Sequence, residues 1–354
     1  MERINMKRLL VLEDGSIYEG IAIGSDNYKI GELVFNTSVS GYQEVFTDLS
    51  SAGQIVVMTY PLIGNCGINR DDYESINPSI FGIVIKDECK HPSNWRYQES
   101  LNDFLLRENI AGIADIDTRA LTIKLRDNGS LKATFANEGD DIEEVVQRLK
   151  DYEIKNLVSE VSSLKTFSIP GSGKRVAIID FGIKLNILKE LTVKGFDIIV
   201  LPYDVDAKTV RSFSPDGVFL SNGPSNPNDL KRSIETIKEL LPDTVIMGVG
   251  LGHELLALAS GAKVTKMKVG HHGSNPVLSL KDNKVVITNQ NHNYVVDKES
   301  IDEKELTISH IALNDGTVEG LTHNRYQAFS VQFYPEESIF DEFNKMMEKE
   351  NLDA

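Results

Sequence analysis

The chain has 354 residues, more than the roughly 250–300 at which a single hydrophobic core stops growing, so two domains are expected. With 41% hydrophobic and 25% charged residues the composition is that of a globular protein, which excludes disorder, collagen and coiled coil. Lys and Arg number 37 against 53 Asp and Glu, and the net charge of −16 disfavours nucleic-acid and membrane partners.

The opening apolar run, residues 9–12, is shorter than the ~7–15 residues of a signal-peptide core. The two cysteines, Cys66 and Cys89, are too few for a disulfide framework. Together these features predict a cytoplasmic protein.

Residues 8–12 and 17–22 flank Asp14-Gly15, a strong hairpin signal between two strand-like runs. Further strands are predicted at 32–35, 54–58 and 81–85, and helical spacing over 115–126 follows a cap at Asp117 or Thr118. The first domain therefore reads as residues 1–152, mixed α/β and mostly antiparallel. Residues 153–174 are Ser-rich, end in Pro170-Gly171-Ser172-Gly173, and read as an exposed linker. Gly173-Lys174 is no phosphate loop, because Ser168 stands where that motif needs Gly and no Ser or Thr follows the Lys.

From residue 175 to 354 strand and helix alternate. Strands at 176–180, 197–201, 217–221 and 245–249, with a helix at 184–194 stopped by Gly195, predict a mostly parallel sheet flanked by helices, an α/β fold. Shorter strands follow at 285–288, 294–296 and 328–333, and a helix at 337–348 closes the chain.

The segment that bears on chemistry is Gly248-Val249-Gly250-Leu251-Gly252-His253-Glu254. A buried strand entering a helix through Gly-x-Z-x-Gly is a nucleophile elbow, in which Z is lifted onto the carboxyl end of the strand. Z is Gly250, which tolerates positive φ but has no side chain to attack with. On this segment alone a tight turn without chemistry is the simpler account.

The stretch from Gly248 to Lys263 nevertheless resembles the elbow Gly-Ile-Cys-Leu-Gly-His-Gln of triad-type glutamine amidotransferases, in the version carried by the carbamoyl-phosphate synthetase small subunit. Leu12-Glu13-Asp14-Gly15, Phe35-Asn36-Thr37-Ser38, Gly41-Tyr42-Gln43-Glu44, the run from Thr59 to Asn65, and Asp115-Ile116-Asp117-Thr118-Arg119 resemble the amino-terminal domain of that subunit. Leu220-Ser221-Asn222-Gly223-Pro224, Gly270-His271-His272-Gly273, Asn289-Gln290-Asn291-His292 and Val331-Gln332-Phe333 before Pro335-Glu336 resemble its amidotransferase domain.

The resemblance implies that a Cys attacks the side-chain amide of glutamine, a His moves the proton and a Glu orients the His. The ammonia then passes to a large subunit that uses bicarbonate, ATP and Mg to make carbamoyl phosphate for pyrimidine or arginine synthesis. No cofactor is implied for the small subunit itself. On this chain the Cys position is Gly250, the His position is Tyr334 and the Glu position is Glu336. A phenol ordinarily titrates near ~10 and is a poor general base at neutral pH.

The implied glutamine pocket comprises Ser50, Gly223, Leu251 and Asn291, which match the family, and Ser225, Glu254, Asn293 and Tyr294, which depart from it. Glu254 in place of Gln changes charge and donor capacity, and Asn293 adds bulk. The expectation is a subunit that has lost glutamine hydrolysis and serves a large subunit fed by free ammonia. Two alternatives are an active hydrolase with an unorthodox nucleophile, for which Cys66 and Cys89 are poor candidates, and a regulatory module whose altered pocket holds another small molecule. His253 and His292 read as structural histidines. Adjacent His271 and His272, on a glycine-rich loop without carboxylates at ligand spacing, suggest no metal.

Overall fold

A computed structural model describes residues 6–350. The chain divides into two compact units, residues 1–155 with 268–273, and residues 156–267 with 274–354.

The first unit is built on β1 (Lys7–Leu12), β2 (Ile17–Gly24), β3 (Gly31–Asn36), β4 (Gln54–Met58), the short β5 (Leu62–Ile63), β6 (Gly82–Val84), the short β7 (Asp87–Glu88), β8 (Ala111–Ala114) and β9 (Leu131–Ala136). All but β5 and β7 close into a barrel in the order β1-β2-β8-β6-β4-β3-β9. The expected hairpin is present. Gly15 takes φ 86°, which only glycine adopts cheaply, and its N–H donates to the Leu12 carbonyl at 2.9 Å. The expectation of a mostly antiparallel domain is corrected in part, since β3–β4, β4–β6 and β6–β8 are parallel. Crossovers such as the helix Leu101–Arg107, between β7 and β8, supply the long connections that parallel neighbours require. The helix predicted at 115–126 spans Thr118–Asn128, with the Asp117 carboxylate accepting from the Ala120 N–H at 2.9 Å.

The second unit holds a sheet of β10 (Phe167–Ile169), β11 (Arg175–Asp180), β12 (Asp197–Pro202), β13 (Gly217–Leu220), β14 (Val245–Val249), β15 (Val264–Ser279), β16 (Val285–Val296), β17 (Leu306–Ala312), β18 (Val318–His323) and β19 (Ala328–Val331). Their order is β10-β12-β11-β13-β14-β19-β18-β16-β15-β17, and the central run from β12 to β19 is parallel. Successive residues of the central strands bury on opposite faces. Ala177 and Ile179 pack with Ile237 and Leu255, whereas Val176 and Ile178 pack with Ile187 and Phe340. This double burial explains why these strands read as unbroken apolar runs instead of alternating ones.

The segment 153–174, expected as an exposed linker, instead carries the helix Leu157–Val161 and β10, which pairs antiparallel with β12. It is tied down by Asp180, whose Oδ2 accepts from the Ser163 N–H at 2.8 Å and the Ser163 hydroxyl at 2.5 Å. The short strands predicted at 285–288 and 294–296 are one strand, β16. The polar residues between them do not break it, because Gln290 and His292 turn inward and find side-chain and backbone partners there. His271 and His272, expected on a loop, lie within β15, on the stretch 268–273 that belongs to the first unit, and within that unit the His272 carbonyl accepts from the Thr37 N–H at 3.2 Å. No helix among the described residues is long and apolar enough to cross a membrane.

Candidate active site

Strand β14 ends at Val249 and the helix Leu251–Ala259 begins at once, so the whole turn falls on Gly250. Its φ of 57° and ψ of −114° are strained for any residue with a Cβ. The turn is fixed on both sides. The Gly250 N–H donates to the Val331 carbonyl at 3.0 Å, and the Gly250 carbonyl accepts from the His253 and Glu254 N–H groups at 3.0 and 3.2 Å. The helix can lie against β13 only because Gly252 has no side chain, since a Cβ there would stand 2.2 Å from the Leu220 carbonyl oxygen. A Cβ at Gly250 would instead meet Asn222, at 3.3 Å from its Cβ and 3.5 Å from its Cα. The space is tight but open to a small side chain.

Asn222, which packs against this turn, also contacts the backbone of Lys184, and Lys184 in turn reaches Tyr334. Asn222 donates from Nδ2 to the Gly182 carbonyl at 2.9 Å and accepts from the Lys184 N–H at 3.3 Å. Tyr334, just past β19, is held by its N–H on the Asn289 carbonyl at 2.9 Å, and the Lys184 ammonium lies 5.5 Å from the centre of its ring. That is cation–π distance. Neither Lys184 nor Asn222 is among the site residues that the sequence predicts. Asn222 stands beside Gly223 in a motif already noted, whereas Lys184 gave no signal beyond the start of a helix.

Glu254 sits one helical turn beyond Gly250, is 3% exposed, and accepts on Oε1 from Gln332 Nε2 at 3.0 Å. Burial, reinforced by the Glu319 carboxylate and opposed by the Gln332 bond, pushes its carboxyl up to about 8. The added negative charge expected from the sequence is therefore absent at neutral pH. The low-dielectric surroundings outweigh the favourable start of the helix. His253 is fully buried beside it, with Nδ1 hydrogen-bonded to Ser330 Oγ at 2.9 Å, and burial pushes its imidazole down to about 3. It is a neutral structural histidine. His292 Nδ1 bonds the Tyr294 carbonyl at 2.8 Å.

Gly223 lies against Phe181, where a Cβ would be 2.2 Å from the carbonyl oxygen, and Ser225 takes φ 99°. Leu251 is buried at the first position of the elbow helix. Asn291, Asn293 and Tyr294 are half-buried along β16. Glu336 is exposed just before the helix Glu337–Glu350. Ser50 belongs to the first unit, on a turn where Asp48 Oδ1 accepts its N–H at 2.9 Å. Cys66 is exposed and Cys89 half-buried, both also in the first unit. At the turn itself the chain can shape a pocket, but it offers no thiol or hydroxyl at position 250 for nucleophilic attack.

Residues 10–135 match the model of the carbamoyl-phosphate synthase small chain, CPSase domain, and residues 177–354 match that of glutamine amidotransferase class-I. The pyrimidine-specific small chain of carbamoyl phosphate synthase from Bacillus subtilis is 50% identical over 353 residues, covering 97% of this chain and 96% of its own. This chain belongs to the carbamoyl-phosphate synthase small-chain family. The small chain from Staphylococcus epidermidis strain ATCC 35984 is 48% identical over 351 residues, 96% of each chain. Among solved structures, a glutamine amidotransferase from Thermotoga maritima is similar at 19% identity and a TM-score of 0.37, over 50% of this chain and 83% of its own.

Proposed function

We propose that this carbamoyl-phosphate synthase small chain has lost glutamine hydrolysis and serves as the structural and activating subunit of an ammonia-using synthetase. The observation that carries this reading is Gly250, which holds the elbow geometry with no side chain at the position of attack. Tyr334 compounds the loss, because a phenol does not take a proton from a thiol at neutral pH as an imidazole does. In another triad enzyme, removing the nucleophile costs about a millionfold in turnover, and removing the base as well costs little more. Membership of the small-chain family supports a large subunit as partner, which would bring the ATP and Mg chemistry.

The test is to purify the chain with its large subunit and compare carbamoyl phosphate made from glutamine with that made from ammonium. Synthesis from ammonium alone is expected. Glutamine-supported turnover at a comparable rate would overturn the proposal.

A further inference from the structure

The proposed function gives no role to the two thiols of the first unit. Cys66 and Cys89 are the only cysteines of the chain. Free cysteine is among the residues most often buried, yet Cys66 is exposed and Cys89 half-buried, so packing alone does not account for them.

The fold sets both on one small feature. Strands β5 and β7 form a two-stranded sheet of their own, with Leu62 paired in parallel to Asp87 and Ile63 to Glu88. Continued by one residue, that register sets Gly64 opposite Cys89, and the Cys89 N–H donates to the Ile63 carbonyl at 2.8 Å. A Cβ on Gly64 would lie 3.5 Å from the Cys89 carbonyl oxygen and 3.7 Å from its nitrogen. Gly64, at φ 94°, opens a tight turn closed by the Gly67 N–H on the Gly64 carbonyl at 2.9 Å, and Cys66 is the third residue of that turn. The chain beyond Cys89 stays along the same turn, where the Ser93 N–H donates to the Asn65 carbonyl at 3.3 Å. Tyr42 is a neighbour common to both thiols. Its hydroxyl donates to the Gly67 carbonyl at 2.6 Å, and its phenol is pushed up by burial and further by negative charge on Cys66 and Cys89.

We infer that Cys66 and Cys89 are a dithiol pair that closes into a reversible disulfide, tying the turn after β5 to the end of β7. Paired strands lie about 4.8 Å apart and a disulfide spans Cα atoms roughly 4.4–6.8 Å apart, so residues that follow two paired strands need only a small shift of the exposed turn to be bridged. The oxidant is a low-molecular-weight disulfide such as oxidised glutathione. The exposed Cys66 thiolate attacks one of its sulfurs and releases one glutathione thiolate; the Cys89 thiolate then attacks the Cys66 sulfur of the mixed disulfide and releases the second. Two electrons pass from the cysteines to the oxidant, and the two thiol protons end on the two glutathiones. Excess reduced glutathione runs the same steps backwards. The inference concerns the first unit alone and does not depend on the loss of glutamine hydrolysis.

The experiment equilibrates the full chain with reduced and oxidised glutathione over a range of ratios, traps free thiols by alkylation, and reads intact and peptide masses. The folded chain should lose two hydrogens in mass, carry no glutathione, and yield one linked peptide pair holding Cys66 and Cys89. It should oxidise at an oxidised-glutathione level at least about tenfold lower than the chain unfolded in urea, because folding raises the effective concentration of one thiol at the other. Cys89→Ser, verified as folded by circular dichroism, should instead accumulate a stable glutathione adduct on Cys66. A folded parent chain that keeps both thiols, holds glutathione on Cys66 beside a free Cys89, forms disulfide-linked dimers, or oxidises no more readily than the unfolded chain would overturn the pair.

Discussion

Two adjacent residues on the elbow helix carry opposite pH dependences. Glu254 has a carboxyl raised from 4.5 to about 8, so it favours the fold fully below about 4.5, and that contribution is lost as pH rises through about 8. His253 has an imidazole lowered from 6.5 to about 3, so its contribution is present above about 6.5 and is lost as pH falls toward about 3. Glu254→Gln should therefore flatten the alkaline side of the stability curve. Its gain over the parent should be largest near pH 8–9, about 5 kcal/mol at most, and should shrink toward pH 4.5, as read by urea unfolding across pH. A gain independent of pH would mean that Glu254 is ionised in the fold throughout. At Gly250 itself, Gly250→Cys should fold with a loss of roughly 1–3 kcal/mol, because the side chain must accept φ 57° and contact with Asn222. Alone it should yield no glutaminase, since Tyr334 remains. Gly250→Cys with Tyr334→His and Glu254→Gln should restore measurable glutamine hydrolysis if only the chemistry was lost, and a folded but inert triple variant would show that the pocket has diverged further.

At the scale of the element, the strand–turn–helix unit around the elbow is held by the absence of side chains. Gly248 and Gly252 both lie where a Cβ would collide with backbone, at 2.6 Å from the Gly252 carbonyl oxygen and 2.2 Å from the Leu220 carbonyl oxygen. Neither neighbour is a flexible side chain that could swing aside. Gly252→Ala should therefore destabilise the second unit by several kcal/mol, about 3 or more, in contrast to the small gain that Ala brings at an unconstrained helical site. In the barrel, β1 is held by a buried charge. Its Arg8 is fully buried, donates to the carbonyls of Ile23, Gly112 and Ser25 at 2.6–2.9 Å, and pairs with Asp26 at 2.7 Å. Its guanidinium also lies 4.9 Å from the Tyr28 ring centre. Arg8→Ala should cost about 3–5 kcal/mol, because three carbonyls and a carboxylate lose their donor at once.

At the scale of the whole molecule, each unit has its own buried core, so calorimetry should resolve two unfolding transitions. Arg8→Ala should lower one midpoint and Gly252→Ala the other; a single transition moved by both variants would show that the units unfold together. The sequence by itself determined the Asp14-Gly15 hairpin, the parallel run from β11 to β14, and the glycine at the head of the elbow helix. These depend on local turn chemistry, periodicity and residue identity. Only the tertiary structure decided that residues 153–174 are pinned by Asp180, that 268–273 group with the first unit, and that Arg8 points into a barrel. It alone brought Lys184 to the Tyr334 ring and buried Glu254 among Gln332 and Glu319. Such outcomes depend on partners far away in sequence, and a side chain's charge and donors take their meaning from the dielectric and the neighbours that folding gives it.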